Sequence, residues 1–479
     1  MDVNTHNVGA LILAAGKGSR MHSPLPKVLH SLLGETMLDL VINALKPIFP
    51  KNIRIVIGHQ AELVKSSIRN QDCRFITQEP QLGTGHALLT AMPALRAAGM
   101  EYILVVNGDA PLLKTERINW FLNDILKSGA NLAFMTMTID LPGSYGRVIR
   151  HDGKVTGVLE AKDYDPLLHG QESDEINTGV YLLHLNSIEH LLKKITCENN
   201  NNEYYITDLI ALAATSGLRV TGLDQGNEEY SLLGVNTPAE LIRSEETLRA
   251  EIVATWLRKG ALVRNPASVR IGPEVTLEPG CELCGPCELY GKSSIACGAR
   301  LESHTWAKDV RIGAGSVIRS FCHLEKVDIE PDCTVGPFAR LRPGTTLESG
   351  ARAGNFVEMK NARLGKGAKA GHLSYIGDAD VGLGANIGAG AITCNYDGKN
   401  KFRTHIGAGA FIGSNSSLVA PVNVGAGALV GAGSVITKNV PENHLAVARS
   451  KQKNIPGRGA PAHPEEPDLQ ADSKNRPDF

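Results

Sequence analysis

The chain has 479 residues, a length typical of about three domain-sized units. It carries 49 lysines and arginines against 50 aspartates and glutamates, which excludes a strongly basic nucleic-acid binder and a polyacidic chain. Hydrophobic residues make up 42% of the sequence, enough for a large buried core, so global disorder is excluded too. The 50 glycines indicate many tight turns.

The first residues include an apolar stretch with no preceding positive cluster and with Asp2 ahead of it. This pattern predicts a buried first strand rather than a signal peptide. No apolar run approaches the roughly 18 residues that a membrane helix requires. We therefore expect a cytoplasmic protein that binds no membrane and whose nine cysteines form no disulfides.

From residue 8 to about 236, short apolar runs alternate with amphipathic segments. The predicted strands are 8–15, 53–57, 102–106 and 132–137, and the predicted helices include 37–45 and 88–95. Alternating strands and helices predict a mostly parallel sheet covered on both faces. We assign this α/β domain to residues 1–236.

The first strand leads directly into a glycine-rich turn, LAAGKGSRM at 13–21, and Pro26-Lys27 follows. Backbone N–H groups in such a turn approach a phosphate chain closely, and Arg20 and Lys27 add positive charge. The spacing matches neither the dinucleotide-binding fingerprint nor a Walker loop. From these residues alone, a phosphate site and an ordinary strand-to-helix turn both remain open.

A connecting helix is predicted over 237–260. It begins with Thr-Pro-Ala-Glu at 237–240, a capping box with proline at the first helical position. Apolar residues then recur on one face from Leu241 to Trp256, and Gly260 is a suitable end.

Beyond this helix a six-residue repeat begins. From Ile271 to Ile436 an aliphatic residue returns every six positions, with a few slips. A period this short, sustained this long, predicts a parallel β-helix in which stacked coils share one narrow core. We assign the β-helix to 261–450. The tail at 451–479 is rich in proline and charge and is expected to be disordered.

Three of the cysteines form a CxxCxxC run at Cys281, Cys284 and Cys287, a spacing that also occurs in zinc and iron–sulfur sites. Cys281 and Cys287, however, occupy the small-residue position of the repeat, four residues after an aliphatic one. We therefore favour small buried hydrophobes over a metal site.

Several segments interrupt the repeat with larger polar residues, at 340–344, 355–360, 371–375 and 393–401. Arg342 and Lys360 are suited to a phosphorylated sugar. His372 lies between these segments, and histidine is the residue type suited to general-base catalysis near neutral pH. A β-helix that serves only as a spacer or regulatory module is the alternative.

In the first half, the order of the motifs resembles the sugar-nucleotide nucleotidyltransferases. The matching segments are LAAGKGSRM at 13–21 with Pro26-Lys27, QLGTGHA at 81–87 after Gln78, NGD at 107–109, YGR at 145–147, NTG at 177–179 and GVN at 234–236. Over residues 8–450 the chain resembles bacterial enzymes that combine glucosamine-1-phosphate acetyltransferase with N-acetylglucosamine-1-phosphate uridylyltransferase. This resemblance implies a Rossmann-like nucleotidyltransferase domain followed by a left-handed parallel β-helix of hexapeptide repeats.

The resemblance also implies two sets of site residues. In the first domain Arg20 and Lys27 would be catalytic, with Asp109 and Asn236 as Mg²⁺ ligands. The other implied nucleotide- or sugar-binding residues are Leu13, Ala14, Ala15, Gly16, Gln78, Gly83, Thr84, Asn107, Gly108, Gly146, Glu160 and Asn177. Asn107 departs from the family pattern, in which an aromatic residue is usual.

In the β-helix the resemblance makes His372 the general base, with Glu358 orienting it or relaying its proton. The implied sugar-phosphate binders are Arg342, Lys360, Tyr375 and Asn386. The implied acetyl-CoA-binding residues are Ala389, Asn395, Tyr396, Ser414, Ala432 and Arg449.

The implied activity has two steps. Glucosamine 1-phosphate is acetylated by acetyl-CoA, and N-acetylglucosamine 1-phosphate then receives UMP from UTP, which supplies cell-wall and lipopolysaccharide precursors. The family is a homotrimer with acetyl sites shared between subunits, so the resemblance implies a homotrimer here. The other expected partners are the small-molecule substrates, with no nucleic acid. Two alternatives are a single-activity pyrophosphorylase with a regulatory β-helix, and a scaffold carrying a degenerate nucleotide-binding module.

Overall fold

The computed structural model describes residues 7–69, 72–165, 173–226 and 230–456. In the first region the strands are β1 Val8–Ala14, β2 Ser31–Leu32, β3 Glu35–Thr36, β4 Ile53–Ile57, β5 Arg74–Thr77, β6 Tyr102–Asn107, β7 Leu132–Thr138, β8 Arg147–His151, β9 Lys154–Leu159, β10 Glu175–His184 and β11 Val220–Asp224. The α-helices are α1 Met37–Leu45, α2 Ala61–Ser67, α3 Thr84–Ala97, α4 Thr115–Ser128, α5 Leu185–Leu192, α6 Asp208–Thr215 and α7 Pro238–Arg258.

The main sheet has the strand order β11-β7-β10-β6-β1-β4-β5, with the β8–β9 hairpin attached to β10. Neighbours along this order are parallel, except that β10 is antiparallel to both β6 and β7. The predicted mostly parallel α/β sheet is confirmed. Sequence analysis did not identify β10, although its segment NTG lies inside that strand.

Successive residues of β1 pack into two different cores. Ile12 lies among residues of α1 and α4 on one face of the sheet, and Leu11 lies among residues of α3, α5 and α6 on the other. Both side chains are fully buried. A strand covered on both faces has a continuous apolar sequence. The carboxyl ends of β1 and β6 lie side by side, so the loops that follow these two strands meet at one edge of the sheet.

Helix α7 joins the two regions of the chain. Its capping box is complete: Thr237 Oγ1 accepts from the Glu240 N–H at 3.2 Å, and Glu240 Oε2 accepts from the Thr237 N–H at 3.2 Å. Leu248 packs against apolar residues of the α/β region, whereas Trp256 packs against the core of the β-helix. The chain leaves the helix at Gly260, whose φ of +92° suits glycine.

The β-helix consists of three parallel sheets, one for each side of the coil. The first contains Leu262–Arg264, Glu282–Cys284, Arg300–Leu301, Val317–Ile318, Thr334–Val335, Arg352–Asn355, Lys369–His372, Asn386–Ile387, Phe411–Ile412, Leu429–Val430 and Leu445–Ala446. The second contains Val269–Ile271, Cys287–Tyr290, Thr305–Lys308, His323–Glu325, Arg340–Leu341, Glu358–Lys360, Tyr375–Gly377, Ile392–Cys394, Ser417–Val419 and Val435–Ile436. The third contains Thr276–Leu277, Ser294–Ile295, Arg311–Ile312, Val327–Ile329, Thr345–Leu347, Arg363–Leu364, Ala379–Val381, Thr404–Ile406 and Val422–Val424.

The aliphatic residues of the six-residue repeat point into the coil. Ile271, Leu283 and Leu289 are completely buried, and Leu277 is 5% exposed. Most strands contribute one such residue to the shared core, whereas in Ile392–Cys394 the buried residue is Thr393. The predicted left-handed parallel β-helix of hexapeptide repeats is confirmed.

The cysteines of the CxxCxxC run do not face one another as a set. Cys281 and Cys287 are buried in the core of the coil, while Cys284 is half-buried at the end of the strand Glu282–Cys284. Burial raises the pKa of the Cys281 thiol to about 11 and that of Cys287 to about 12, so both remain neutral and pack as small apolar groups.

Among the described residues, no helix has both the length and the apolar character to cross a bilayer. Residues 451–456 form neither helix nor strand. The rest of the predicted disordered tail, 457–479, lies outside the described residues.

Candidate active sites

A cleft of about 530 Å³ opens where β1 and β6 end, the edge at which parallel α/β sheets usually bind ligands. Many of the nucleotide-site residues predicted from the sequence line it. These are Leu13, Ala14, Ala15, Gly16, Lys27, Gln78, Gly83, Thr84, Asn107 and Asp109. The structure thus gathers residues from loops far apart in the sequence into one cavity.

The glycine-rich turn keeps the floor of the cleft open. A Cβ built on Gly16 would have no other atom within 4 Å, so this position faces the cavity itself. Gly18 has a φ of +65°, and a Cβ there would lie 2.5 Å from the Cβ of Lys27. A side chain at residue 18 would therefore displace Lys27 from its place beside the turn.

Four predicted residues converge on one point of the cleft. Lys27 Nζ forms a salt bridge with Asp109 and donates to Asn236 Oδ1 at 3.0 Å. Arg20 Nη2 also donates to Asn236 Oδ1, at 3.0 Å. Asp109 Oδ1 is buried and has no hydrogen-bond partner among the described residues. Two cations and an unsatisfied carboxylate oxygen therefore meet at this place.

The start of α7 holds Asn236 beside Asp109. The Asn236 N–H donates to Glu240 Oε2 at 2.6 Å, so the carboxylate that closes the capping box also fixes this residue. The Val235 N–H donates to the Asp109 carbonyl at 2.8 Å. A Cβ on Gly234 would lie 2.9 Å from Asp109 Oδ1, so only glycine permits this close approach.

On another wall, Gln78 is 2% exposed and its Nε2 donates to the Gly83 carbonyl at 3.0 Å. Gly83 has a φ of +107°, and a Cβ there would lie 2.6 Å from the Tyr204 carbonyl oxygen. Thr84 Oγ1 accepts from the Ile206 N–H at 3.0 Å. These contacts clamp the QLGTGHA loop against the segment that precedes α6.

The remaining predicted residues form a second group next to the cleft. The Asn177 N–H donates to the Gly146 carbonyl at 2.9 Å, and Asn177 Nδ2 donates to Tyr181 Oη at 2.7 Å. Glu160 accepts from Thr207 Oγ1 at 2.9 Å, and burial raises its pKa.

This second group contacts the strand end that carries the motif NGD. Asn107 packs against Gly179, where φ is +83° and a side chain would collide with the Asn107 amide. The Gly108 N–H donates to the Leu13 carbonyl at 2.9 Å, which ties the ends of β6 and β1 together.

In the β-helix, His372 ends a strand of the first sheet and is exposed at the corner that leads to the second sheet. Its Nδ1 is hydrogen-bonded to Oδ1 of Asn355, its register partner on the preceding coil. Because an amide oxygen only accepts, Nδ1 carries the ring proton and Nε2 is the nitrogen that can accept one.

The same corner carries four of the predicted acetyl-CoA residues on successive coils. They are Ala389, Ser414, Ala432 and Arg449. The Ala389 carbonyl accepts from the Asn415 N–H at 2.8 Å, and the Ser414 carbonyl accepts from the Gly433 N–H at 2.8 Å. Arg449 Nη1 donates to the Ala432 carbonyl at 2.5 Å. A continuous column therefore extends from His372 to Arg449.

The other two predicted acetyl-CoA residues begin an excursion from the coil at 395–403. Asn395 is buried, whereas Tyr396 is 59% exposed and forms an antiparallel bridge with Lys401. The excursion leaves the coil at the corner between the second and third sheets, whereas the column lies at the corner between the first and second sheets.

Arg342, Lys360 and Tyr375 lie along the outer face of the second sheet. Arg342 Nη1 donates to Glu358 Oε1 at 3.0 Å, so the observed partner of Glu358 is this cation, while that of His372 is Asn355. The expected relay through Glu358 therefore stays a prediction. Asn386 lies on the first sheet, beyond the corner.

Two residues that contact the predicted site residues were given no role from the sequence, Asn355 and Asp378. Asn355 stands 17 residues before His372, and Asp378 stands 17 residues before Asn395, to which it is hydrogen-bonded. This separation equals one coil at these places, so the repeat length itself was the signal that could have found them.

Comparison with known proteins covers both regions. Residues 10–142 match the family model described as MobA-like NTP transferase domain, and residues 403–438 match the one described as Bacterial transferase hexapeptide (six repeats). A Bifunctional protein GlmU from Nitratidesulfovibrio vulgaris strain Miyazaki F is 56% identical over 94% of this chain and 98% of its own length. Proteins of the same name from Oleidesulfovibrio alaskensis and Lawsonia intracellularis are 54% and 48% identical, each over 95% of this chain and over 99% and 98% of their own lengths.

The fold and the cleft define a nucleotidyltransferase domain fused to a hexapeptide-repeat transferase domain. The relatives match this arrangement over nearly their whole length, across both domains. The chain belongs to the bifunctional GlmU family.

Proposed function

We propose that the chain catalyses two consecutive transfers, from glucosamine 1-phosphate to N-acetylglucosamine 1-phosphate and then to UDP-N-acetylglucosamine. The observation that carries this proposal is the 56% identity to a bifunctional relative over 94% of the chain, which spans both sites. The acetyl group comes from acetyl-CoA and the uridylyl group from UTP. The products would feed cell-wall and lipopolysaccharide synthesis in the cytoplasm.

In the first domain, a phosphate oxygen of N-acetylglucosamine 1-phosphate attacks the α-phosphorus of UTP, and pyrophosphate leaves. The attacking group is already anionic, so positioning and charge neutralisation are the main requirements. Arg20 and Lys27 neutralise the developing charge, and the backbone of the glycine-rich turn holds the phosphate chain. Gln78 and Gly83 contact the base, and Asn177 and Glu160 bind the sugar.

The residues at the centre of the cleft fit a magnesium ion. Mg²⁺ prefers oxygen ligands and is typically held by one or two protein groups together with substrate phosphates. Asp109 Oδ1 is a buried carboxylate oxygen without a partner among the described residues, and Asn236 Oδ1 faces the same cations. Asp109 and Asn236 would hold the ion, which neutralises phosphate charge when bound.

In the second domain, the amine of glucosamine 1-phosphate attacks the thioester carbonyl of acetyl-CoA. Nε2 of His372 accepts the amine proton as the new C–N bond forms; the C–S bond then breaks, and coenzyme A takes up that proton and leaves as its thiol. Arg342, Lys360 and Tyr375 bind the sugar phosphate together with Asn386. The column from Ala389 to Arg449 and the excursion that begins at Asn395 bind acetyl-CoA.

The exposed apolar residues support self-association of the chain, and the resemblance to the family makes the proposed assembly a homotrimer. Phe321, Phe338 and Phe356 stack along the corner between the first and second sheets, on the coils that precede His372. Their ring centroids are 4.8 and 5.1 Å apart, and each side chain is about half exposed. Phe411 and Leu429 form a second exposed pair on the first sheet, beyond Asn386. Continuous apolar surface of this kind is rare on monomers, and a second copy covering it would also bring the two faces of the acetyl site together.

A single reaction tests the proposed function. The chain is supplied with glucosamine 1-phosphate, acetyl-CoA, UTP and Mg²⁺, and mass spectrometry follows the sugar species. We expect UDP-N-acetylglucosamine, with thiol and pyrophosphate released in equal amounts. Pyrophosphate formation only when N-acetylglucosamine 1-phosphate is supplied ready-made would restrict the activity to the first domain.

A further inference from the structure

A buried carboxylate lies beneath the excursion at 395–403, at the corner between the second and third sheets. Asp378 is 8% exposed although its side chain is ionisable, and it occupies a backbone position with a φ of +47°. A buried carboxylate costs free energy unless several donors satisfy it. The donors that satisfy the Asp378 carboxylate therefore indicate which parts of the structure it holds in place.

Two amides on neighbouring coils donate to this carboxylate. Asn361 Nδ2 donates to Asp378 Oδ1 at 2.5 Å, and Asn395 Nδ2 donates to Asp378 Oδ2. The three residues are spaced 17 apart, one per coil. They form an amide–carboxylate–amide stack that ends at Asn395, where the chain leaves the coil.

The same segment anchors both ends of the excursion. The Thr404 N–H donates to the Asp378 carbonyl at 3.1 Å, where the chain rejoins the coil. Arg403 donates to both carboxylate oxygens of Asp380, at 2.7 and 3.0 Å. The Phe402 N–H donates to the Asn395 carbonyl at 2.8 Å, which closes the base of the excursion.

The charges of two lysines, Lys360 on the second sheet and Lys401 in the excursion, also act on the Asp378 carboxylate. Burial alone would raise the pKa of Asp378, but the hydrogen bonds from Asn361 and Asn395 and the charges of both lysines lower it. The adjacent Lys401 lowers the pKa of Lys360.

We propose that Asp378 is a positioning residue of the acetyl-transfer site. Its carboxylate fixes the Asn395 side chain and the base of the excursion for acetyl-CoA. This inference rests on the acetyl transfer proposed above. It gives Asp378 no contact with the reacting atoms.

The test is Asp378→Asn, which keeps the shape of the side chain but replaces one accepting oxygen with a donor. We expect the KM for acetyl-CoA to rise about tenfold, the effect of losing one charge-assisted hydrogen bond, while kcat changes less. Asp328→Asn is the control, because it breaks a bidentate pair with Arg311 on the third sheet, three coils before the coil that carries Asp378. Its KM values should equal those of the unaltered chain.

A double-mutant cycle separates positioning from general stability. If Asp378 acts through Asn395, Asp378→Asn added to Asn395→Ala should raise the KM for acetyl-CoA little further. Additive effects, or an unchanged KM in the single variant, would overturn the inference. Asp378→Ser serves in the same cycle if Asp378→Asn does not fold, as judged by circular dichroism and gel filtration of the variant. An unaltered chain without acetyl transfer would instead refute the proposed function.

Discussion

The two regions of the chain assemble their candidate sites in different ways. In the α/β region, one chain brings Arg20, Lys27, Asp109 and Asn236 to a single point at the edge of a cleft that Lys27 and Asp109 line. In the β-helix, residues predicted for one site lie along a corner and on two faces of the coil. A parallel sheet collects the ends of distant strands at one edge, whereas a solenoid sets out its side chains in lines. The first geometry completes a site within a chain, and the second favours a site completed by another copy.

The largest expected effect is that of Asp109→Ala. This change removes the partner of Lys27 and the unsatisfied carboxylate oxygen, so pyrophosphate formation from UTP should fall about a thousandfold or more. Acetyl transfer, measured by thiol release, should be unchanged. Loss of both activities would show that the two regions depend on each other, and would contradict a site completed within the α/β region alone.

The complementary change is His372→Ala in the β-helix. Without a base, thiol release from acetyl-CoA should fall by about two to four orders of magnitude. Uridylyl transfer to N-acetylglucosamine 1-phosphate is the control and should retain its rate. Near-normal acetyl transfer would remove His372 from the mechanism.

A smaller effect distinguishes the two candidates for orienting the imidazole. Asn355→Ala removes the observed hydrogen bond to Nδ1, and we expect acetyl transfer to fall about tenfold, the lower range for a residue that orients another. Glu358→Gln is the paired variant. In the unaltered chain the Glu358 carboxylate contacts Arg342 rather than His372. We expect it to alter mainly the KM for glucosamine 1-phosphate. A kcat that falls more in Glu358→Gln than in Asn355→Ala would favour the relay.

The smallest effect concerns stability of the α/β region. Burial and the neighbouring Asp163 raise the pKa of Asp208 from its ordinary 3.8 to about 6. Between these values the folded chain holds a proton that the unfolded chain has released, so stability is lost as pH rises through about 6. Asp208→Asn should remove this loss, so its thermal unfolding temperature should drop less between pH 4 and pH 7 than that of the unaltered chain. An identical drop in both chains would show that Asp208 does not titrate in this range.

Much of this architecture is predictable from the sequence because its signals are local. The six-residue repeat fixes which side chains enter the coil, and the capping box at Thr237 fixes the start of α7. Strand β10 is harder, since its polar residues at Asn177 and Thr178 hide an apolar run that follows. Asn355 and Asp378 escaped for a different reason: their partners lie one coil away, and their roles depend on contacts rather than on residue type.

The most direct test of two independent sites in one chain is a mixing experiment. Asp109→Ala and His372→Ala are each supplied with glucosamine 1-phosphate, acetyl-CoA, UTP and Mg²⁺, alone and then together. Neither variant alone should form UDP-N-acetylglucosamine, and the mixture should form it, because each supplies the step that the other lacks. A mixture as inactive as its components would contradict the independence of the two sites.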